Sequence, residues 1–132
     1  NRKVGQTIEE IAEIIDELKD KRLKVCLDTC HLHAAGYDLR TAKSYNDFLT
    51  VFDKTIGLER LSLWHINDSK DPFGSLRDRH ENIGMGEVGT EAFKNILNHP
   101  KTKKVPCILE VPGFKGEGPD KKNIEIFKSF IS

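Results

Sequence analysis

The chain has 132 residues, enough for one small domain and too few for two comfortable ones. Its 21 basic and 21 acidic residues cancel, so the overall field gives no reason to expect polyanion binding and any nucleic-acid contact must be local. No run of about 18 apolar residues offers a membrane span and no opening segment reads as a signal peptide; the three cysteines, an odd number, favour reduced thiols in a cytoplasmic protein over a disulfide framework.

Thr7 and Glu10 make a capping-box pattern, and Ile8, Ile11, Ala12, Ile15 and Leu18 then recur at helical spacing, which predicts a first helix up to Asp20. Leu23 to Leu27 is short, apolar and bounded by charge, as a buried strand is, and Asp28 stands where it ends. After a loop containing Gly36, Ser44 can cap a helix whose Phe48, Leu49, Phe52 and Ile56 share a face and which Gly57 can end. Leu61 to Ile66 is the second strand. More than twenty residues rich in Asp, Arg, Gly and Ser follow it, longer than the roughly 12 to 15 that compact domains carry without a task. Thr90 opens a short helix with Phe93, Ile96 and Leu97, stopped by Pro100. Val105 to Val111 makes a third strand, and Asp120 to Phe130 a last helix with Ile124, Phe127 and Ile131 on its inner side.

A helix followed by three strand–loop–helix units predicts an α/β fold with a parallel sheet. The strands are apolar without alternation, so both of their faces need cover. Three parallel strands cannot close a barrel, and residues 1–132 therefore read as one partial domain. In an eight-stranded alternating barrel the chemistry sits at the carboxyl ends of the strands, where Asp28, His65 and Glu110 fall. His31, Asp78 and His80 bring the candidate metal ligands to six. One tetrahedral zinc takes about four ligands, so six suggest more than one metal.

Several features carry a plainer reading beside the chemical one. Asp78 and His80 stand two apart and point to one side in extended backbone. Glu110, closing a buried run, would cost several kcal/mol unpaired; a metal offsets that, as does a nearby Lys or Arg. Gly84 to Gly89 matches the letters of the dinucleotide fingerprint, but a polar loop precedes it where that motif needs a strand. Its glycines are either simple turn residues or a backbone offering amides to a phosphate. His33 and His99 read as surface residues, and Cys26, Cys30 and Cys107 as structural thiols, Cys26 and Cys107 lying within strands.

Val25-Cys26-Leu27-Asp28-Thr29-Cys30-His31 with Ala34-Ala35-Gly36-Tyr37-Asp38 resembles one signature of the endonuclease IV family of apurinic/apyrimidinic endonucleases. His65-Ile66-Asn67-Asp68-Ser69-Lys70, then Gly74-Ser75, Asp78-Arg79-His80 and Ile83-Gly84-Met85-Gly86, resembles the other in order and spacing. The resemblance covers almost the whole chain. It implies the carboxyl-terminal portion of a TIM-type (β/α)8 barrel, and the start at Asn1 without an initiator Met is read the same way. It also implies zinc, about three ions per complete domain, with His31, Asp78 and His80 holding one and Asp28, His65 and Glu110 a second that a bridging glutamate completes. That glutamate and the two histidines of the third ion have no counterpart in this sequence.

The activity so implied is DNA repair: hydrolysis of the phosphodiester 5′ to an abasic site in double-stranded DNA, leaving a 3′-hydroxyl and a 5′-deoxyribose phosphate. Asp28 and Glu110 would enter catalysis as metal ligands rather than proton carriers, and Ser75, Arg79, Gly84 and Gly86 would touch the DNA backbone. The place of action would be the cytoplasmic nucleoid, or the nucleus of a eukaryote. The chemistry agrees, since hydrolysing a phosphodiester needs a nucleophilic water at neutral pH and neutralised phosphoryl charge, and clustered divalent metals supply both. Two other readings stand beside it. One is a metal-dependent sugar isomerase or epimerase on a related barrel. The other is an inactive metal-binding fragment, or half of a split barrel whose open strand edges need the missing amino-terminal half or a self-associating copy.

Overall fold

The computed structural model describes residues 3–132. Thr7, in extended backbone, accepts from the Glu10 amide at 3.2 Å and opens helix α1 (Ile8–Leu18). The Glu10 carboxylate turns back onto the Gly5 and Gln6 amides, both at 3.0 Å. Lys19 adopts the left-handed conformation and donates to the Ile15 carbonyl, which stops the helix at Leu18 rather than at Asp20. Strand β1 (Val25–Asp28) begins two residues later than the apolar run predicts.

Helix α2 (Thr29–Ala35) stands where the sequence predicts only a loop. Seven residues are too few for a periodicity signal, but the caps are legible: the Asp28 carboxylate accepts the His31 amide, and Gly36 at φ 94° ends the helix. Helix α3 (Ala42–Thr55) is capped by Thr41, not Ser44; Ser44 is the third helical residue and completes a reciprocal capping box. Its Tyr45, Phe48, Leu49 and Phe52 are buried. A single 3-10 turn, Leu58–Arg60, leads into β2 (Leu61–Ile66). The long polar stretch after it contains a two-stranded antiparallel ribbon, β3 (Asp68–Ser69) with β4 (His80–Glu81), pairing Ser69 with His80. Helix α4 (Thr90–Asn98) starts at the predicted residue. Strand β5 (Cys107–Leu109) is shorter than 105–111, and α5 (Lys121–Lys128) is capped by Asp120.

The main sheet has the order β1-β2-β5 and both pairings are parallel, as the alternation of elements predicts. Its register sets Asp28 beside His65 and His65 beside Ile108. Glu110, two residues past Ile108, lies on the same face because strand side chains alternate.

Val25, Leu27, Trp64 and Ile66 are buried and join the helices' apolar residues in one core. The opposite face is bare among the described residues, with Cys26 exposed and Ile108 49% exposed. The expected cover therefore exists on one face, and Cys26 is not the packed thiol its strand position predicts. The inner side of α5 also needs correction. Phe127 is buried against Phe93, on which Phe130 stacks, while Ile124 and Ile131 are exposed, Ile131 lying beyond the last helical turn.

Candidate metal centre

Six predicted ligands converge at the carboxyl end of the sheet, each brought there by a different local rule. Asp28 ends β1 and, by capping α2, fixes one carboxylate oxygen on the His31 amide at 3.1 Å. That cap sets His31 in the first turn of α2. His65 lies in β2 beside Asp28, and Glu110 directly follows β5.

Asp78 and His80 arrive on the ribbon. The Lys70 amide donates to the Arg79 carbonyl at 3.0 Å, and Arg79 grips Asp71 with two bonds of 2.8 and 2.6 Å. The tip between them is tied to the end of α2, where the Gly74 and Leu76 amides donate to the His33 and Ala34 carbonyls, both at 3.0 Å. His33, read from sequence as a surface residue, is buried, with Nε2 3.2 Å from the Asp71 carbonyl and its ring edge-on to Phe73. It supports the ribbon's base. His99 is partly buried, its ring edge-on to Tyr45 and its Nε2 2.7 Å from Asn46 Oδ1.

The ligand atoms form a chain of near neighbours. His31 Nδ1 lies 3.7 Å from Asp78 Oδ2, Asp78 Oδ1 3.5 Å from His80 Nε2, and His80 Nε2 3.6 Å from Asp28 Oδ2. His65 Nδ1 is 3.0 Å from Glu110 Oε2, and His80 Nδ1 is 3.2 Å from the Glu110 carbonyl. Ligands at zinc's usual 2.0–2.1 Å in a tetrahedron are about 3.3 Å apart along each edge, so these separations suit shared coordination. The other nitrogen of the His31 ring, Nε2, is buried without a hydrogen-bond partner among the described residues, an orphaned polar atom on a candidate ligand. Burial pushes the Asp28 carboxyl up from its ordinary range, opposed by the His31 amide and the His80 ring. A cation beside it offsets that cost. The residues present therefore fit a divalent metal of zinc's preferences.

The sets of three whose ligand atoms lie together among the described residues are not the two implied triads, and they include neither His31 nor His65. Asp28, His80 and Glu110 place ligand atoms within 4.8 Å of one another, as do Cys30, Asp78 and His80. His80 thus borders both clusters. Cys30 is buried, its Sγ 3.5 Å from the Arg79 carbonyl, and burial pushes its thiol up to about 12, which keeps it protonated.

The predicted DNA contacts share the same loops, with their donors partly committed. Arg79 is paired to Asp71 with its side chain 58% exposed, and Ser75 Oγ accepts the Arg77 amide at 3.2 Å. The Gly84 amide, predicted as a phosphate donor, instead meets the Asp68 carboxylate at 2.9 Å, as does that of Val88. Gly86 is required by crowding: a Cβ there would collide with the Ser69 carbonyl and lie 2.6 Å from Asp68 Oδ1. The turn glycines serve the fold first.

Sequence reading misses the buried polar residues that tie the loops together. Asn67 and Asp68 are fully buried, and Asn82 and Asn123 join the loop after β4 to the loop after β5 through Gly113. Their signal was an amide and a carboxylate directly after an apolar strand, where each must find a partner.

A parallel α/β sheet with its ligands at the carboxyl strand ends is barrel architecture, and the family model described as "Xylose isomerase-like TIM barrel" matches residues 1–130; the chain belongs to that family. Within it, similar proteins carry the name probable endonuclease 4. Probable endonuclease 4 of Halalkalibacterium halodurans is 50% identical over 120 residues, covering 90% of this chain and 39% of that protein. Its namesake from Oceanobacillus iheyensis is 47% identical over 121 residues, covering 91% and 39%. The crystal structure of endonuclease IV from Thermus thermophilus superposes with a TM-score of 0.81 at 37% identity, over 98% of this chain and 45% of that one. The endonuclease IV resemblance therefore extends over the matched stretch, and the chain spans about two fifths of the length of these curated relatives.

Proposed function

We propose that this chain carries part of the centre of a zinc-dependent apurinic/apyrimidinic endonuclease, which hydrolyses the phosphodiester 5′ to an abasic site in double-stranded DNA. The observation that carries the reading is the convergence of Asp28, His31, His65, Asp78, His80 and Glu110 at one end of the sheet, their ligand atoms 3.0 to 3.7 Å from a neighbour. Bound zinc would supply an activated water and neutralise charge on the phosphoryl and leaving oxygens.

His31, Asp78 and His80 would hold one ion and Asp28, His65 and Glu110 would contribute to a second. The chain's own residues bind and orient. Asp28 and Glu110 act as charge-balancing ligands, and the ribbon bearing Arg79 and Ser75 offers the nearest groups for a DNA backbone. Such contacts position the duplex without reading its sequence. Access to a backbone bond at an abasic site also favours a target displaced from the stack. The relatives' names favour this reading over a sugar isomerase. The bare sheet face supports a domain completed by further chain or a second copy, working where the DNA is, in the cytoplasm.

The test is metal content by mass spectrometry on the purified chain, with an incision assay on a duplex holding one abasic analogue. One or two zinc ions per chain, lost together in a His31→Ala/His80→Ala double variant, are expected. Incision is expected only when the complementary barrel portion of a relative is added. A chain that takes up no divalent metal would overturn the ligand assignment.

A further inference from the structure

Asn67 leaves the end of β2, the middle strand, and is fully buried. Its Nδ2 donates to Asp28 Oδ2 at 2.9 Å, and its Oδ1 accepts the Glu110 amide at 2.8 Å. Its orientation is forced, because Oδ1 faces an N–H donor and the nitrogen must then face the carboxylate. The backbone of Asn67 is equally fixed. Its amide donates to Thr29 Oγ1 at 2.8 Å, and its carbonyl accepts the Thr29 hydroxyl at 2.6 Å.

Strands β1 and β5 are not neighbours, since β2 lies between them. Asp28 and Glu110, the ligands those strands deliver, therefore share no ladder bond. One Asp28 oxygen is held by the His31 amide; Asn67 holds the other, and with it the rotation of the carboxylate toward His80 Nε2 at 3.6 Å. The same side chain pins the Glu110 backbone, whose carbonyl is 3.2 Å from His80 Nδ1.

We propose that Asn67 is a positioning residue: its carboxamide spans the middle strand and sets the mutual placement of the ligands Asp28 and Glu110. The inference rests on the metal-centre reading above. Outer hydrogen-bond partners of metal ligands are typically worth about ten- to hundredfold in metal affinity, and this one serves two ligands.

The experiment titrates the full 132-residue chain with Co2+, reading its visible d–d absorption, for wild type, Asn67→Leu, Asn67→Ala and Asn123→Ala. Asn67→Leu keeps the branching of the side chain and removes both contacts, and Asn67→Ala covers a failure of packing. Asn123 is an equally buried asparagine that touches no ligand. Expected is an altered band and about ten- to hundredfold weaker Co2+ binding in the Asn67 variants at the site containing Asp28. Binding at His31, Asp78 and His80, which Asn67 reaches only through His80, should weaken less, and Asn123→Ala should match wild type at both. Folded Asn67 variants that bind like wild type, or the same loss in Asn123→Ala, would overturn the proposal. Amide hydrogen exchange on the metal-free chain gives a second arm. The Glu110 amide should be protected in wild type and in Asn123→Ala and lose that protection in either Asn67 variant. A wild type that takes up no Co2+ sinks the metal reading, while a Glu110 amide unprotected in wild type, or equally protected in the Asn67 variants, sinks the positioning role.

Discussion

Asp68→Ala tests how the loop around Gly84–Gly89 is built. The Asp68 side chain is fully buried and accepts the amides of Ser69, Gly84 and Val88, each at 2.9 Å. Deleting the carboxylate leaves the two distant amides without an acceptor. A buried donor left unpaired costs about 1–3 kcal/mol. Val88 is 2% exposed and stands at the upper end, while Gly84 is exposed and stands at the lower. The sum is roughly 3–5 kcal/mol, a large share of the total stability of a domain this size. Asp68→Asn keeps one acceptor oxygen and turns a donor onto one amide, so it should cost about 1–2 kcal/mol.

Urea unfolding followed through Trp64, the chain's one tryptophan and fully buried, reports the change. With a slope of about 1.5 kcal/mol per molar, the alanine variant's midpoint should fall by roughly 2–3 M, and the asparagine variant's by about 1 M. An alanine variant within about 0.5 M of wild type at unchanged slope would refute the argument that this carboxylate organises the loop.

Gly86→Ala should destabilise by about 1–3 kcal/mol, because the added methyl meets the Ser69 carbonyl, which belongs to the ribbon backbone and cannot swing aside; the same urea titration checks it. Iodoacetamide near pH 8 should label Cys26 first, Cys107 more slowly and Cys30 only on unfolding, since Cys26 is exposed, Cys107 is half-buried with its thiol pushed up to about 11, and Cys30 is buried with its thiol pushed up to about 12; peptide mass spectrometry reads the order. The Asp120 carboxyl is held below its ordinary 3.8 by the Asn123 and Phe114 amides, so its contribution is fully present above that value and is lost as pH falls through the folded, lower one. The acid limb of a stability profile should accordingly be shallower in Asp120→Asn, and an identical limb in both proteins would contradict the assignment.

The alternation of elements, the parallel sheet and the six candidate residues at its carboxyl end were legible because each leaves a local mark: an apolar run, a charged residue at its end, a helical spacing. Helix α2 was not, because seven residues carry too little periodicity, although Asp28 and Gly36 marked both its ends. The ribbon was hidden for a related reason. Two strands of two residues have no pattern, and what holds them, the Asp71–Arg79 pair and the His33 ring, is a tertiary contact. His33 looked like a solvated loop histidine because the polar loop that buries it lies some forty residues further on. The bare sheet face also ran against the strand pattern. An apolar strand announces that both faces want cover, and it cannot say which cover lies within the same stretch of chain.

The candidate ligands Asp28 and Glu110 stand far apart in sequence, with α2, α3, the ribbon and α4 strung between them. A cation gripping both would act as a cross-link closing that long segment, and the free energy of its binding would be drawn from the folded state alone. Removing it would leave Asp28, Asp78 and Glu110 facing one another with only imidazoles between. Metal supply would then govern how long the chain survives proteolysis, so that scarcity of the ion would deplete the protein itself.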